Sequence, residues 1–350
     1  MTVREREKRT LNFCLQNDRG SVEETFAAWD LTAMRFADEG MPANLANGVS
    51  SKDGNEKYFQ TTFFGRVLEY ERWLGFDPVR RIHFTLPFRA LDKQCQINDA
   101  DDWKALYEHS EKEREKYFKK DSIVQAFQPM KAAHDNGDYS IRLNLEGFFW
   151  TPRELIGVEE HLYSFYDMPE LLHEICEYTL EIYTNELKDV ITMLQPDVVY
   201  FMEDLSGKNG PMISGEHFDE FVGHYYKKLF PLLREWGVGN IFVDTDGEFS
   251  KLIPNFIEAG VDGFLPLDVN AGMDIVKVRR DFPNLKFIGG YNKLAIAEGP
   301  YEIDKEFDRV MPVIASGGYI PGADHQVAPS TSLQNYQYYI EKLKTNMCVK

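Results

Sequence analysis

A chain of 350 residues is long enough for one large α/β barrel or two smaller domains, and 43% hydrophobic residues is ordinary for a globular protein. A net charge of −18 argues against a nucleic-acid backbone as partner, because a polyanion repels an acidic surface. No window approaches the roughly 20 apolar residues of a membrane helix, and residues 1–13 hold no apolar signal core, so a cytoplasmic protein without membrane contact is expected.

Residues 1–75 read as a helical N-terminal extension, with helical stretches at 22–38 and 61–74 on either side of a polar, glycine-bearing loop at 43–56. The remainder, 76–350, reads as the catalytic domain. Its charged run at 108–120 is a solvated helix face, with Glu115 four residues before Lys119. Short apolar runs at 81–86, 141–145, 197–201, 240–243, 263–266, 285–288 and 318–321 predict strands, the last four separated by roughly 22, 23 and 32 residues with helical stretches between them. No GxGxxG follows the first strand, so this βα rhythm predicts an α/β fold of the (β/α)8 TIM-barrel kind rather than a doubly wound sheet. Cys14, Cys95, Cys176 and Cys348 are scattered without a CxxC pair, so any metal is expected on oxygen and nitrogen ligands.

A barrel carries its chemistry at the C-terminal ends of its strands. Those ends read Glu203-Asp204, Asp244-Thr-Asp246, Asp268, Tyr291-Asn292-Lys293 and Asp324-His325. A single acid in such a place is often the N-cap of the next helix, and Asp204 and Asp268 fit that reading. One cap is enough, however, and Asp244 and Asp246 would point to the same face of a strand, where two carboxylates repel unless a cation or a proton lies between them. His325 follows the glycine-rich strand exit Gly317-Gly-Tyr-Ile-Pro-Gly-Ala323, which lets backbone approach a ligand closely. Phe148, Trp150, Tyr200 and Asn292 are the candidates for substrate contact, and Asp268, Tyr291 and Lys293 for an assisting acid or orienting group.

The stretches Gly147-Phe-Phe-Trp-Thr-Pro-Arg-Glu-Leu-Ile-Gly157, Glu203-Asp-Leu-Ser-Gly-Lys-Asn-Gly-Pro-Met-Ile-Ser214, Phe264-Leu-Pro-Leu-Asp-Val-Asn-Ala-Gly-Met-Asp274, Ile288-Gly-Gly-Tyr-Asn-Lys293 and His325-Gln-Val-Ala-Pro329 together resemble the uroporphyrinogen decarboxylase superfamily, on the branch of the corrinoid-dependent methyltransferases. The resemblance spans roughly residues 140–345. It implies a (β/α)8 barrel with a helical N-terminal extension. The arginine-rich N-terminal signature of the porphyrinogen decarboxylases has no counterpart in Ala43-Asn-Leu-Ala-Asn-Gly-Val-Ser-Ser51, which disfavours that substrate.

The methyltransferase branch binds zinc through a His-x-Cys-Gly element and a later cysteine. Asp244-Thr-Asp-Gly247 and His325-Gln-Val-Ala-Pro329 match those positions without a thiolate, so the resemblance implies a divalent metal, zinc or another, on Asp244, Asp246 and His325 with Glu203 as fourth ligand. Harder ligands leave a stronger Lewis acid, suited to an oxygen-bearing donor. The implied activity is demethylation of a small O-methylated compound, methoxylated aromatics included, with the methyl group passing to a corrinoid (cobalamin). That corrinoid would arrive on a separate corrinoid protein, since this chain has no Asp-x-His-x-x-Gly motif. The alternative is a lyase or decarboxylase in which Asp244 and Asp246 act as a metal-free acid/base pair.

Overall fold

The computed structural model describes residues 1–14, 18–26, 29–46, 67–88 and 97–348. The chain packs as two compact units, one of Met1–Arg80, Gly137–Ser140 and Phe264–Lys350, the other of Arg81–Asn136 and Ile141–Gly263. This differs from a division at residue 75. The N-terminal segment belongs with the C-terminal third because hydrogen bonds tie them: Gly318 N–H donates to Thr10 O, Gly20 N–H to Met347 O, Thr32 Oγ1 to Val327 O and Leu333 N–H to Glu39 Oε2. Buried Asp77 adds a hub, accepting from Arg6 and Arg19 at 2.6 Å each and from Val22 N–H at 3.0 Å.

All seven predicted strands are present. They are β1 (Val79–His83), β2 (Ser140–Glu146), β3 (Val198–Met202), β6 (Ile241–Thr245), β7 (Gly263–Pro266), β8 (Lys286–Tyr291) and β9 (Tyr319–Ala323), while β4 (Ser206–Gly207) and β5 (Gly210–Pro211) form a small antiparallel hairpin. The expected helix at 22–38 starts only at Asp30, and of the one at 61–74 the described part is Val67–Leu74. The expected loop at 43–56 opens with a short helix, Ala43–Ala46, and the rest of it lies outside the described residues. The charged run at 108–120 is helical to Tyr117, where the helix Ala100–Tyr117 ends, and Lys119 caps the next helix, Lys120–Asp135, so Glu115 and Lys119 do not share one helix as expected. Among the described residues no helix is long and apolar enough to cross a membrane.

In the second unit β2, β3 and β6 run parallel, with Asn144, Tyr200 and Phe242 level with one another and Glu146, Met202 and Asp244 level one step further on. Successive strand residues face opposite sides. Leu143, Leu145, Val199, Phe201, Ile241 and Val243 therefore share one face, and Phe201 shows what covers it, with Tyr183 of the helix Pro169–Leu194 and Tyr226 and Phe230 of the helix His224–Glu235 packed on its ring. The opposite face carries Arg142, Asn144, Glu146, Tyr200 and Asp244. β2 is buried at all seven positions, polar ones included. In the first unit β8 and β9 are parallel, Gly290 level with Gly322, and at Gly289 (φ +106°) a Cβ would meet Pro266 O at 2.3 Å, so only glycine admits that approach.

Candidate active site

The site is built from the polar face of β2, β3 and β6. On β2 the order Ser140-Ile-Arg-Leu-Asn-Leu-Glu146 alternates polar and apolar, which in a half-exposed strand would point the polar residues to water. Here they are buried, so Arg142, Asn144 and Glu146 line protein interior. Asn144 Oδ1 contacts His83 Nδ1 of β1, and its amide Nδ2 has no hydrogen-bond partner among the described residues. Tyr200 is 7% exposed, and burial, then the charge of Asp244, push its hydroxyl above the usual tyrosine range while Arg81 and Arg142 pull the other way. Its proton stays on at any working pH.

Asp244 lies near the C-terminal end of β6, 2% exposed, and its Oδ2 has no hydrogen-bond partner among the described residues. Burial, and then the neighbouring carboxylates of Asp204 and Asp246, raise its pKa well above the ordinary carboxylate value. The chain segments that carry these acids are stitched together: Glu203 N–H donates to Asp244 O, Leu205 N–H to Thr245 Oγ1, Asp246 N–H to Asp204 Oδ1 and Glu248 N–H to Gly207 O. Gly247 closes the turn at φ +81°, where a Cβ would run into Ser206 O at 2.4 Å. Three carboxylates are held close, and burial and the other two charges disfavour the charged form of the buried one.

Glu203 is different. It is fully buried at the end of β3, and the backbone N–H groups of Phe148, Phe149 and Trp150 donate to it at 3.0, 2.8 and 3.0 Å, joined by the Tyr226 hydroxyl. Gly147 makes room for this, since a Cβ there would lie 2.1 Å from the carboxyl carbon. Burial lifts its pKa to about 7 against the lowering effect of those donors. Both oxygens are committed to the start of the helix Trp150–Ile156, so Glu203 does not fit the role of fourth metal ligand.

The first unit repeats that device at Asp324. Fully buried, it accepts from Val269 N–H, Lys293 N–H and Asn270 Nδ2, with Lys293 Nζ at 3.5 Å. Asp268 caps the turn Val269–Ala271, as its N-cap reading predicts, and Asn292 caps the helix Lys293–Glu298. Tyr291, expected as an assisting acid, is fully buried and donates its hydroxyl to Ile303 O, so its proton is spent on packing. His325 packs its ring against Phe26 and Trp29, and its Nδ1 accepts from Gln326 N–H at 2.8 Å.

Phe148, a candidate for substrate contact, is 1% exposed and stacks on Tyr225 at 5.1 Å, which makes it core. Trp150 lies under the Arg153 guanidinium at 4.9 Å. Among the described residues no group of three or more His, Cys, Asp or Glu side chains is arranged to hold a metal ion. With all four acceptor positions of Glu203 engaged and no such group assembled among the described residues, the expected zinc donor set does not fit the residues present.

The uroporphyrinogen decarboxylase (URO-D) family model matches residues 136–345, well over half the chain, and the chain belongs to that family. The fold is accordingly the family's α/β fold of the TIM-barrel class, in agreement with the βα rhythm of the sequence. Among solved structures, a methyltransferase from Methanosarcina mazei is similar with a TM-score of 0.64 at 13% identity, covering 99% of each chain. A protein described as a vitamin-B12 independent methionine synthase from Listeria monocytogenes reaches a TM-score of 0.43 at 12% identity, covering 94% of this chain and 96% of its own. No curated protein matches the chain.

Proposed function

We propose that this chain is a methyltransferase that demethylates a small O-methylated compound, with Asp244 as the acid that protonates the departing oxygen. The observation that carries this reading is the buried Asp244 Oδ2 on a polar strand face, without a hydrogen-bond partner among the described residues, its acid form favoured by burial and by Asp204 and Asp246. Breaking an O–CH3 bond leaves the electron pair on oxygen, and an alkoxide or phenolate is a poor leaving group until a proton reaches it. The methyl group goes to a nucleophile and the Asp244 proton to the oxygen, so the products are a methylated acceptor and an alcohol or phenol. Tyr200, one strand over, orients the donor through its hydroxyl.

Family membership and the fold shared with the Methanosarcina mazei methyltransferase support methyl transfer as the reaction class. The acceptor in this reading is a corrinoid on a separate protein, a substrate of the reaction rather than a resident group. No step requires a metal on this chain, and turnover is expected to survive dialysis against a chelator.

The close Asp204 and Asp246 carboxylates also favour a second reading, a decarboxylase or lyase of the family in which Asp244 returns a proton to a carbanion. The deciding assay incubates the chain with a methoxylated donor and a reduced corrinoid protein and follows methylation of the corrinoid. Methyl transfer that vanishes in Asp244→Asn supports the first reading. Release of carbon dioxide from a carboxylated donor with no methyl transfer supports the second.

A further inference from the structure

On the strand face that carries Asp244, a second buried atom has no hydrogen-bond partner among the described residues: the amide nitrogen Nδ2 of Asn144 on β2. We propose that Asn144 is a specificity-determining residue of this site, whose amide N–H reads a second, hydrogen-bond-accepting oxygen on the methyl donor. The inference rests on the demethylation reading above and names what else its donor carries.

Asn144 is 7% exposed, and both its backbone and its side chain are tied to β1. Phe84 N–H, just past that strand, donates to Asn144 O at 3.0 Å, and His83 Nδ1 meets Asn144 Oδ1. The amide oxygen is used, and the amide nitrogen is the end left over. An amide N–H kept from water without an acceptor destabilises the fold that holds it, so a position serving packing alone would favour an apolar residue.

The ground between Asn144 and Asp244 is aromatic. Asn144, Tyr200 and Phe242 are level across β2, β3 and β6, and the alternation of strand side chains puts Phe242 on the face of Tyr200 and Asp244. Asp244 stands one step beyond Phe242. The backbones of Asn144 and Asp244 are thus two strand spacings apart, about 10 Å, and offset by about 7 Å along the strands. A donor that reaches both holds two oxygens with a ring between them. Methanol would meet one of these groups and leave the other bare.

The charges on the face run the same way. Arg81 and Arg142 act on Tyr200 as positive neighbours, while Asp204 and Asp246 gather about Asp244. An electron-rich carbonyl or carboxylate oxygen is favoured beside Asn144, and the ether oxygen, which takes up a proton, beside Asp244.

The test is calorimetric titration of the full chain with para-methoxyacetophenone and with para-isopropylanisole, which has the same shape and CH–CH3 in place of C=O. The wild-type chain is expected to bind the ketone roughly 10- to 100-fold more tightly, since a site built to bond an oxygen rejects the analogue that lacks it. In Asn144→Leu, close in shape to Asn, that preference should vanish through weaker ketone binding, with the isopropyl compound held as before. His83 is exposed, so water replaces its lost partner. Equal wild-type affinity for the two compounds, binding of neither, or a preference that survives Asn144→Leu would overturn the proposal. The wild-type comparison decides even if Asn144→Leu does not fold. Binding is read without turnover, so a ketone preference lost in Asn144→Leu, with no methyl group passed to a reduced corrinoid protein, would strike the demethylation reading and keep Asn144 as the contact to an oxygen-bearing ligand.

Discussion

Glu203 and Asp244 stand at the ends of neighbouring strands, joined by a backbone hydrogen bond of 2.8 Å, and both are buried carboxyl groups with raised pKa values. Glu203 is met by four donors, and Asp244 leaves an oxygen with none among the described residues. The same residue class in the same topological place thus does two jobs. One carboxyl assembles the loop-to-helix junction at residues 147–150, and the other keeps an oxygen without a partner among the described residues, the oxygen that the proposed mechanism uses. Asp324, with its three hydrogen-bond donors and Lys293, belongs with Glu203.

The comparison breaks most visibly at Asp244. Replacing it with Asn keeps the shape and removes the acid, so the turnover number is expected to fall at least about 100-fold while the melting temperature holds or rises, because a buried proton-retaining acid beside two carboxylates leaves the fold. Steady-state kinetics and a thermal melt on one preparation check both halves. Retained turnover would remove Asp244 from the mechanism.

Glu203→Ala should behave in the opposite sense. Three backbone N–H groups and one hydroxyl lose their acceptor in a dry interior, and a cost of about 3–5 kcal/mol in urea denaturation is expected. A loss under about 1 kcal/mol would mean that water reaches those amides.

A smaller effect lies in pH dependence. Glu203 titrates near 7 in the folded chain against an ordinary value of 4.5, so between those values the folded state holds a proton that the unfolded state has released. Unfolding free energy should therefore fall as pH rises from about 4.5 to about 7 and level off above it, with Asp244 adding to the same trend. The Tyr226 hydroxyl can turn from donor to acceptor when Glu203 is protonated, which lets both states persist without strain. Glu203→Gln should flatten the slope, and denaturation at several pH values measures it. The smallest change is expected from Tyr226→Phe, which removes one donor of four and should cost about 1 kcal/mol with turnover unchanged.

Much of the framework was legible in the sequence. Every strand was marked by a short apolar run, and the run at 263–266 coincides with β7. The cap at Asp268 was legible because capping is local, whereas Asn292, expected to contact substrate, caps the helix Lys293–Glu298. The role of Glu203 was not, since the amides it holds lie more than fifty residues earlier and meet it only in the folded chain. Phe148 and Tyr291 suited a pocket by residue type, but ring chemistry says nothing about which way a side chain turns. The alternation of β2 was a usable signal for Arg142 and Asn144, because a strand between other strands has no water for its polar side to face.

The union of residues 1–80 with residues 264–350 bears on biosynthesis. As the chain leaves the ribosome, the segment from Arg81 to Gly263 emerges with nearly all of its own packing partners, while the first eighty residues must wait for the last eighty-seven. Until then the apolar side chains of Leu11, Phe36 and Phe76 lack their final cover, among it Tyr336 on Phe36 and Phe76. Residues 1–80 are thus the part of this sequence most exposed to chaperones during synthesis, and the emergence of residues 264–350 is the event that lets them fold.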